Sequence, residues 1–331
     1  MKEAYLQYLC CTSCGESLRI DSVESRKEDR IETGKLKCDK CQAVYSITKF
    51  IPRFVSNDNY ATGFGFQWNI HAKTQLDSYT GLEISQKRFF KQTQWPRDLT
   101  GETILEVGCG SGRFTEPAAS TNAIVISLDY SVAVEANYLN NGQRENVFIV
   151  QGDVYRMPFR KNFFDKVFCF GVLQHTPDPA KAFIALASFP KPGGDIAIDV
   201  YRNYWKTWLI SKYYLRPFTR RIKPDRLYRM IKGYVDFMWP LSEQFRKIPM
   251  WGPKINLMMG IPDHSELGLQ GKVLKEWAYL DAFDMFSPRY DFSQKKETVE
   301  HWLKSQSLND IEVDCGDLGL VVARGKSKGK V

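Results

Sequence analysis

Long apolar runs are missing from this sequence. None approaches the roughly 20 residues that span a bilayer, so it offers no candidate membrane-crossing helix. The opening Met1-Lys2-Glu3-Ala4-Tyr5-Leu6-Gln7-Tyr8 lacks the apolar stretch of a secretion signal. A cytoplasmic setting is expected, where thiols stay reduced and the eight cysteines serve as metal ligands or core residues rather than disulfides. Histidine is scarce, four among 331 residues, which leaves few positions for imidazole chemistry. There is no internal repeat, and no low-complexity tract beyond the Lys/Gly tail after Arg324. The remaining composition is that of an ordinary globular chain, long enough for one α/β domain and a small appendage.

Charge is unevenly distributed. Arg202 to Lys247 holds twelve Lys/Arg against three acids, a net +9, while the whole chain carries +8. Such a stretch calls for an anionic partner. Within it Trp205, Trp208 and Leu209 fall at i, i+3 and i+4, one face of a helix, interleaved with Lys206, Lys212, Arg216, Arg220 and Arg221. Three uses are open: peripheral contact with an anionic membrane at the inner face, a lid over a soluble anionic substrate, or packing on the core with the charges solvated.

Residues 1–56 read as an independent module of paired cysteines, and residues 57–331 as a second, larger domain. From Thr103 strand and helix signals alternate as in a parallel α/β sheet. Strands are expected at Thr103–Val107, Ile124–Leu128, Val147–Val150, Lys166–Phe170 and Asp195–Val200, with helices at Ser131–Asn140 and Pro179–Phe189. The alternation breaks at about 202–290, an insertion on the substrate side. It resumes with a helix at Glu297–Ser305 and strands at Ile311–Asp314 and Leu320–Ala323.

Ile104-Leu105-Glu106-Val107-Gly108-Cys109-Gly110-Ser111-Gly112-Arg113-Phe114 joins an apolar strand to a helix through closely spaced glycines. Such a loop lets a ligand approach the backbone and offers helix N–H groups to its anionic end. The dinucleotide fingerprint needs glycine three residues after its second, where Arg113 stands. The Gly-x-Gly-x-Gly spacing, with Glu106 ahead of it, resembles motif I of class I S-adenosylmethionine-dependent methyltransferases. Asp129 at the end of the second strand, Gln151-Gly152-Asp153-Val154 after the third, and Lys191-Pro192-Gly193-Gly194 before the fifth follow in the order that family requires. Phe64-Gly65-Phe66-Gln67-Trp68, Gly171-Val172-Leu173-Gln174-His175-Thr176-Pro177-Asp178-Pro179 and Ser287-Pro288-Arg289-Tyr290-Asp291 are similar to a bacterial subfamily that accompanies glycan and polysaccharide biosynthesis.

The resemblance implies a Rossmann-like α/β fold with a mostly parallel seven-stranded sheet and a helical insertion after the fifth strand. It implies S-adenosyl-L-methionine as cofactor, held by Gln67, Arg88, Glu106, Gly108, Gly110, Gly112, Asp129, Tyr130, Asp153, Val154 and Phe170. Asp129 would take the ribose hydroxyls, Asp153 the adenine amine, and the Val154 N–H the adenine ring. Gln67 and Arg88 would close over the methionine end. His175 follows the fourth strand, where a general base for an alcohol nucleophile belongs; a histidine there also serves to pack the loop. Tyr201, Arg289 and Tyr290 would face the substrate, with arginine suited to a phosphate or carboxylate.

Cys11-Thr12-Ser13-Cys14 and Cys38-Asp39-Lys40-Cys41 form two Cys-x-x-Cys knuckles. Four thiolates so spaced suit tetrahedral zinc, and the module resembles the zinc ribbons that precede some methyltransferase domains. Gln42 departs from that pattern, which has glycine there. The acceptor expected is a sugar hydroxyl on a nucleotide- or lipid-linked glycan. RNA is the alternative, because some rRNA methyltransferases pair a four-cysteine finger with this fold; a scaffold without turnover is a third reading, opposed by the intact glycine loop.

Overall fold

The alternating signals after Thr103 build the centre of one sheet: β5 (Thr103–Val107), β6 (Ile124–Asp129), β7 (Val147–Gln151), β8 (Phe164–Phe170) and β9 (Pro190–Tyr201). These strands run parallel. They read as continuous apolar segments because helices cover both faces. β11 (Leu320–Ser327) lies antiparallel to β9, and β10 (Leu308–Gly316) closes that edge. The order β7-β6-β5-β8-β9-β11-β10 reverses at β5/β8. A crevice therefore opens at the carboxyl ends of those strands. In this computed structural model the described residues are 1–56, 59–203, 211–316 and 319–328.

The expected seven strands are present, but among the described residues the sheet has eleven. β1 (Leu18–Lys27), β2 (Arg30–Cys38), β3 (Val44–Thr48) and β4 (Ile51–Arg53) form an antiparallel meander, and β4 joins the edge of β7 with Arg53 opposite Gln151. Residues 1–56 are thus continuous with the large sheet rather than independent of it. The cause is shared apolar burial: Leu9, Leu18, Ile31 and Leu36 lie in one core with Phe148, Val150 and Phe164, and Tyr5 stacks on Phe148 at 4.8 Å. Arg53 fixes the seam, donating to Gln151 Oε1 at 2.7 Å and to Glu135 at 2.9 Å.

The insertion leaves at Arg202 and returns at Gln294, which bridge one another. Its helices Lys212–Thr219, Pro224–Arg246, Gly252–Met258 and Gly271–Phe286 carry a core of their own, including Leu227, Ile231, Val235 and Phe283. The helix Thr62–Ile70 lies between insertion and sheet. Phe66 meets Phe283 and Tyr228 on one side, while Gly65 sits so close to Val132 that a methyl there would strike it at 2.6 Å. Trp205, Trp208, Leu209 and Lys206, read above as one helix face with basic neighbours, lie outside the described residues.

Candidate cofactor and substrate site

The glycine loop is held from below and covered from above. Gly110 has φ +51°, the left-handed region that glycine enters without penalty. Its N–H donates to Asp129 at 2.9 Å. The other Asp129 oxygen accepts from the Ser131 N–H and hydroxyl at 2.8 and 2.7 Å. Asp129 thus ties the loop to the end of β6, with its carboxyl pushed upward in pKa by burial. A Cβ at Gly108 would strike Val172, and one at Gly112 would strike Asn137. Those two glycines serve close packing, and Gly110 is the one beneath the crevice.

Two residues expected at the ligand have side chains engaged within the fold, on the faces that strand alternation gives them. Glu106 shares its face with Ile104, where the helix Thr115–Ala119 covers it. Its carboxylate accepts from Thr115 Oγ1 at 2.5 Å and Ser127 Oγ at 2.6 Å, and burial raises its pKa to about 7. Phe170 shares its face with Phe168 and packs among Phe89, Phe114 and Phe168. Arg88 is anchored on buried Asp199 at 2.5 Å. Arg113, the residue that breaks the dinucleotide pattern, donates to Ser85 at 3.1 Å and Gln75 at 3.0 Å, stapling the preceding helices to the loop.

The cover comes from the helix Thr62–Ile70. Trp68 lies over Gly110, 3.2 Å from where a Cβ would sit, and Phe64 lies 5.0 Å from the His175 ring. Gln67, three residues after Phe64, is its neighbour on the helix surface. It is fully buried, and neither amide atom has a partner; Gln174, on the loop after β8, is buried with the same deficit. An unsatisfied buried amide is costly, so these two groups fit a site completed by a polar ligand. At the other end Tyr60 packs on Tyr130 at 4.8 Å and on Tyr290 at 5.6 Å. Asp153 accepts from the Tyr155 N–H at 2.9 Å, and burial raises its pKa. The Val154 side chain belongs to the core beneath. Gly110, Asp129, Tyr130 and Asp153 thus lie at or just beyond the carboxyl ends of the strands, Gln67 lies on the covering helix, and Glu106 and Phe170 pack against neighbouring side chains. Trp68 and Gln174 stood inside the motifs quoted above without a role assigned to them, and Tyr60 carried no signal separable from ordinary loop residues.

On the substrate side His175 Nδ1 lies 2.9 Å from the Tyr290 carbonyl. A carbonyl only accepts, so Nδ1 carries the proton and the lone pair of the neutral ring sits on Nε2. Tyr201 stands edge-on to the ring at 5.4 Å, and its hydroxyl donates to Asp284 at 3.2 Å. Asp284, unsuspected from sequence, has its pKa raised by burial. Asp291 is held by Lys212 at 2.8 Å and by Arg216. Arg289 and Arg220 line a cleft of about 170 Å³, whose wall includes Tyr60 and Phe64.

The four cysteines meet at the other end of the molecule. The sulfurs of Cys11, Cys14, Cys38 and Cys41 all lie within 4.8 Å of one another, with Cys11–Cys41 at 3.4 Å and Cys14–Cys38 at 3.5 Å. Sulfurs at the corners of a tetrahedral zinc site stand about 3.8 Å apart, so the set fits the ion. Gln42 adopts φ +62°, as Gly15 adopts +79° in the first knuckle, and its side-chain amide donates to the Asp39 carbonyl at 2.6 Å. The missing glycine therefore leaves the turn intact.

Residues 105–198 match a family model described as a methyltransferase domain. The fold is the Rossmann-like class I methyltransferase fold, with the four-cysteine cluster at its N-terminal end. The chain is 29% identical over 149 residues to a ubiquinone biosynthesis O-methyltransferase of Thiobacillus denitrificans, a match covering 40% of this chain and 64% of that protein. It is 31% identical over 160 residues to the protein of the same name from Sodalis glossinidius, covering 44% and 62%. It spans less than two thirds of each. Among solved structures, a chain from the complex between the Haloferax volcanii Trm112 methyltransferase activator and a methyltransferase aligns with TM-score 0.48 and 12% identity, over 81% of this chain and 99% of that one.

Proposed function

We propose that the chain is an S-adenosylmethionine-dependent methyltransferase acting on a hydroxyl of an anionic, nucleotide- or lipid-linked glycan. The observation that carries the cofactor reading is the group of residues at the strand ends: a left-handed Gly110 beneath Trp68, a strand-end Asp129, and the buried, unpartnered amides of Gln67 and Gln174. Bound S-adenosylmethionine supplies an electrophilic methyl carbon. The chain's own residues do the rest. Asp129 and Asp153 accept from the nucleoside, Gln67 and Gln174 satisfy the amino-acid end, and the helix Thr62–Ile70 excludes water. His175 Nε2 takes the hydroxyl proton, its tautomer fixed by Tyr290. Arg220 and Arg289 grip the anionic part of the substrate beside Phe64.

Sugar is favoured over RNA by the charges at the cysteine end. There Arg19 pairs with Asp39 at 2.7 Å and Lys40 with Glu16 at 2.8 Å. Paired charges make a poor grip on a phosphate backbone. The four cysteines are assigned to one structural zinc, checked by elemental analysis and by a lowered melting temperature after chelation.

Methyl transfer is tested by incubating the protein with methyl-labelled cofactor and either glycan precursors or total RNA; label entering RNA alone overturns the substrate reading. Cofactor binding is tested by calorimetry. Asp129→Ala removes charge-assisted bonds and is expected to cost about 2–4 kcal/mol of affinity, and an unchanged affinity rejects the crevice as the site.

A further inference from the structure

The insertion presents a concentration of large apolar side chains to solvent. Phe237 is 82% exposed, Met250 77%, Phe218 71% and Trp251 60%. Scattered exposed apolar residues need no explanation, but a contiguous set marks an interaction surface. On the helix Pro224–Arg246 the arrangement is regular. Leu227, Ile231 and Val235 are buried in the insertion core, while Met230, Tyr234, Phe237 and Leu241 are exposed. At 3.6 residues per turn the exposed four fall within an arc of about 60°. The helix thus has two apolar stripes, and the fold covers one. The helix Gly252–Met258 lies alongside: Tyr234 donates to the Met259 carbonyl at 2.7 Å and Asn256 to the Ser242 carbonyl at 3.2 Å. Met250 and Trp251 form the turn into it.

The charges beside this surface identify what covers it. Arg221, Lys223 and Arg226, at the start of the striped helix, are exposed and have no ion-pair or hydrogen-bond partner among the described residues. Lys212 and Arg216, basic neighbours in sequence, are buried and committed to Asp291. The unmatched cations therefore border the uncovered apolar stripe. We propose that this face docks on an anionic lipid bilayer, with Phe237, Met250 and Trp251 entering the headgroup layer and Arg221, Lys223 and Arg226 meeting its negative charge. Among the described residues no helix is long and apolar enough to cross a membrane, so the contact is peripheral. The cleft of Arg289 is lined on this side by Arg220, Ile222 and Pro224, which places its mouth beside the docked face.

The test is co-sedimentation of the full chain with vesicles of phosphatidylcholine alone, and of phosphatidylcholine and phosphatidylglycerol in equal parts. Pelleting is expected with the second and not the first, and release in about 1 M salt, where screening acts within roughly 3 Å. Arg221→Gln, Lys223→Gln and Arg226→Gln together should lower partitioning about a hundredfold, near fivefold for each charge. Phe237→Ser with Trp251→Ser should abolish pelleting. Both variants should keep the wild-type melting temperature, because the altered side chains are solvent-exposed. Equal pelleting with both vesicles, or none with either, overturns the proposal. So does a lipid-free dimer in the ultracentrifuge that Phe237→Ser converts to monomer, which would make the face an interface between copies.

Discussion

The floor and the roof of the crevice are built differently. In the floor, Gly110, Asp129 and Ser131 bond one another, and Glu106 lies beneath them between Thr115 and Ser127. Those groups bond one another within one short stretch of chain, although the Ser111 hydroxyl of the same loop is buried without a partner among the described residues. The roof joins residues far apart in sequence: Trp68 over Gly110, His175 against Tyr290, Phe66 against Phe283. It leaves Gln67 and Gln174 without partners. The floor is bonded largely to itself, with the Ser111 hydroxyl as its exception, whereas the roof keeps two whole side-chain amides in reserve for what it encloses. Ligand binding should therefore order the roof and leave the floor as it is.

Three measurements can break or sharpen that contrast. His175→Ala should lower turnover by about 10²–10⁴-fold with cofactor affinity nearly unchanged, because a base acts only on the proton in flight. A loss under tenfold would make His175 a packing residue of the roof. In the floor, Glu106 should make stability fall with rising pH. Its folded pKa, about 7, lies above the ordinary 4.5, so the folded chain holds the proton across that window and the unfolded chain does not. The contribution, at most about 3 kcal/mol, is present below 4.5 and lost as the pH passes 7. Glu106→Gln should remove that slope in denaturation curves, and an unaltered slope would show the charge to be accommodated without cost. Gln67→Leu should have the smallest effect on the free protein and the opposite sign. Removing a buried, unpaired amide should stabilise it by about 1–3 kcal/mol while cofactor binding weakens in calorimetry. If both stability and affinity drop together, Gln67 has a partner within the fold.

The parts of the site legible in sequence were those made by local contacts. β5 occupies Thr103–Val107 as its apolar pattern indicated, and Asp129 closes β6. The cysteine spacing brought four sulfurs together as expected. The partners of Glu106 and Phe170 were not legible, because a motif gives position along the chain but not which neighbours pack on each face of the strand. Lys212 and Arg216 read as surface charge, and their burial against Asp291 depends on a residue some eighty positions away. Asp284 carried no pattern at all, and Gln174 stood in a motif without a role, since a lone carboxylate or amide acquires a role only from what surrounds it.

By itself the sequence determined the strand order's ingredients, the glycine loop and its anchoring aspartate, and the metal-ligand quartet. Each follows from steric and hydrogen-bonding rules acting over a few residues. Tertiary structure decided that residues 1–56 share a core with the large sheet, that Trp68 and Gln67 roof the crevice, and which of the insertion's charges stay free. Burial and pairing at those positions depend on the energy of the whole packed chain, where apolar area removed from water outweighs what any short segment prefers.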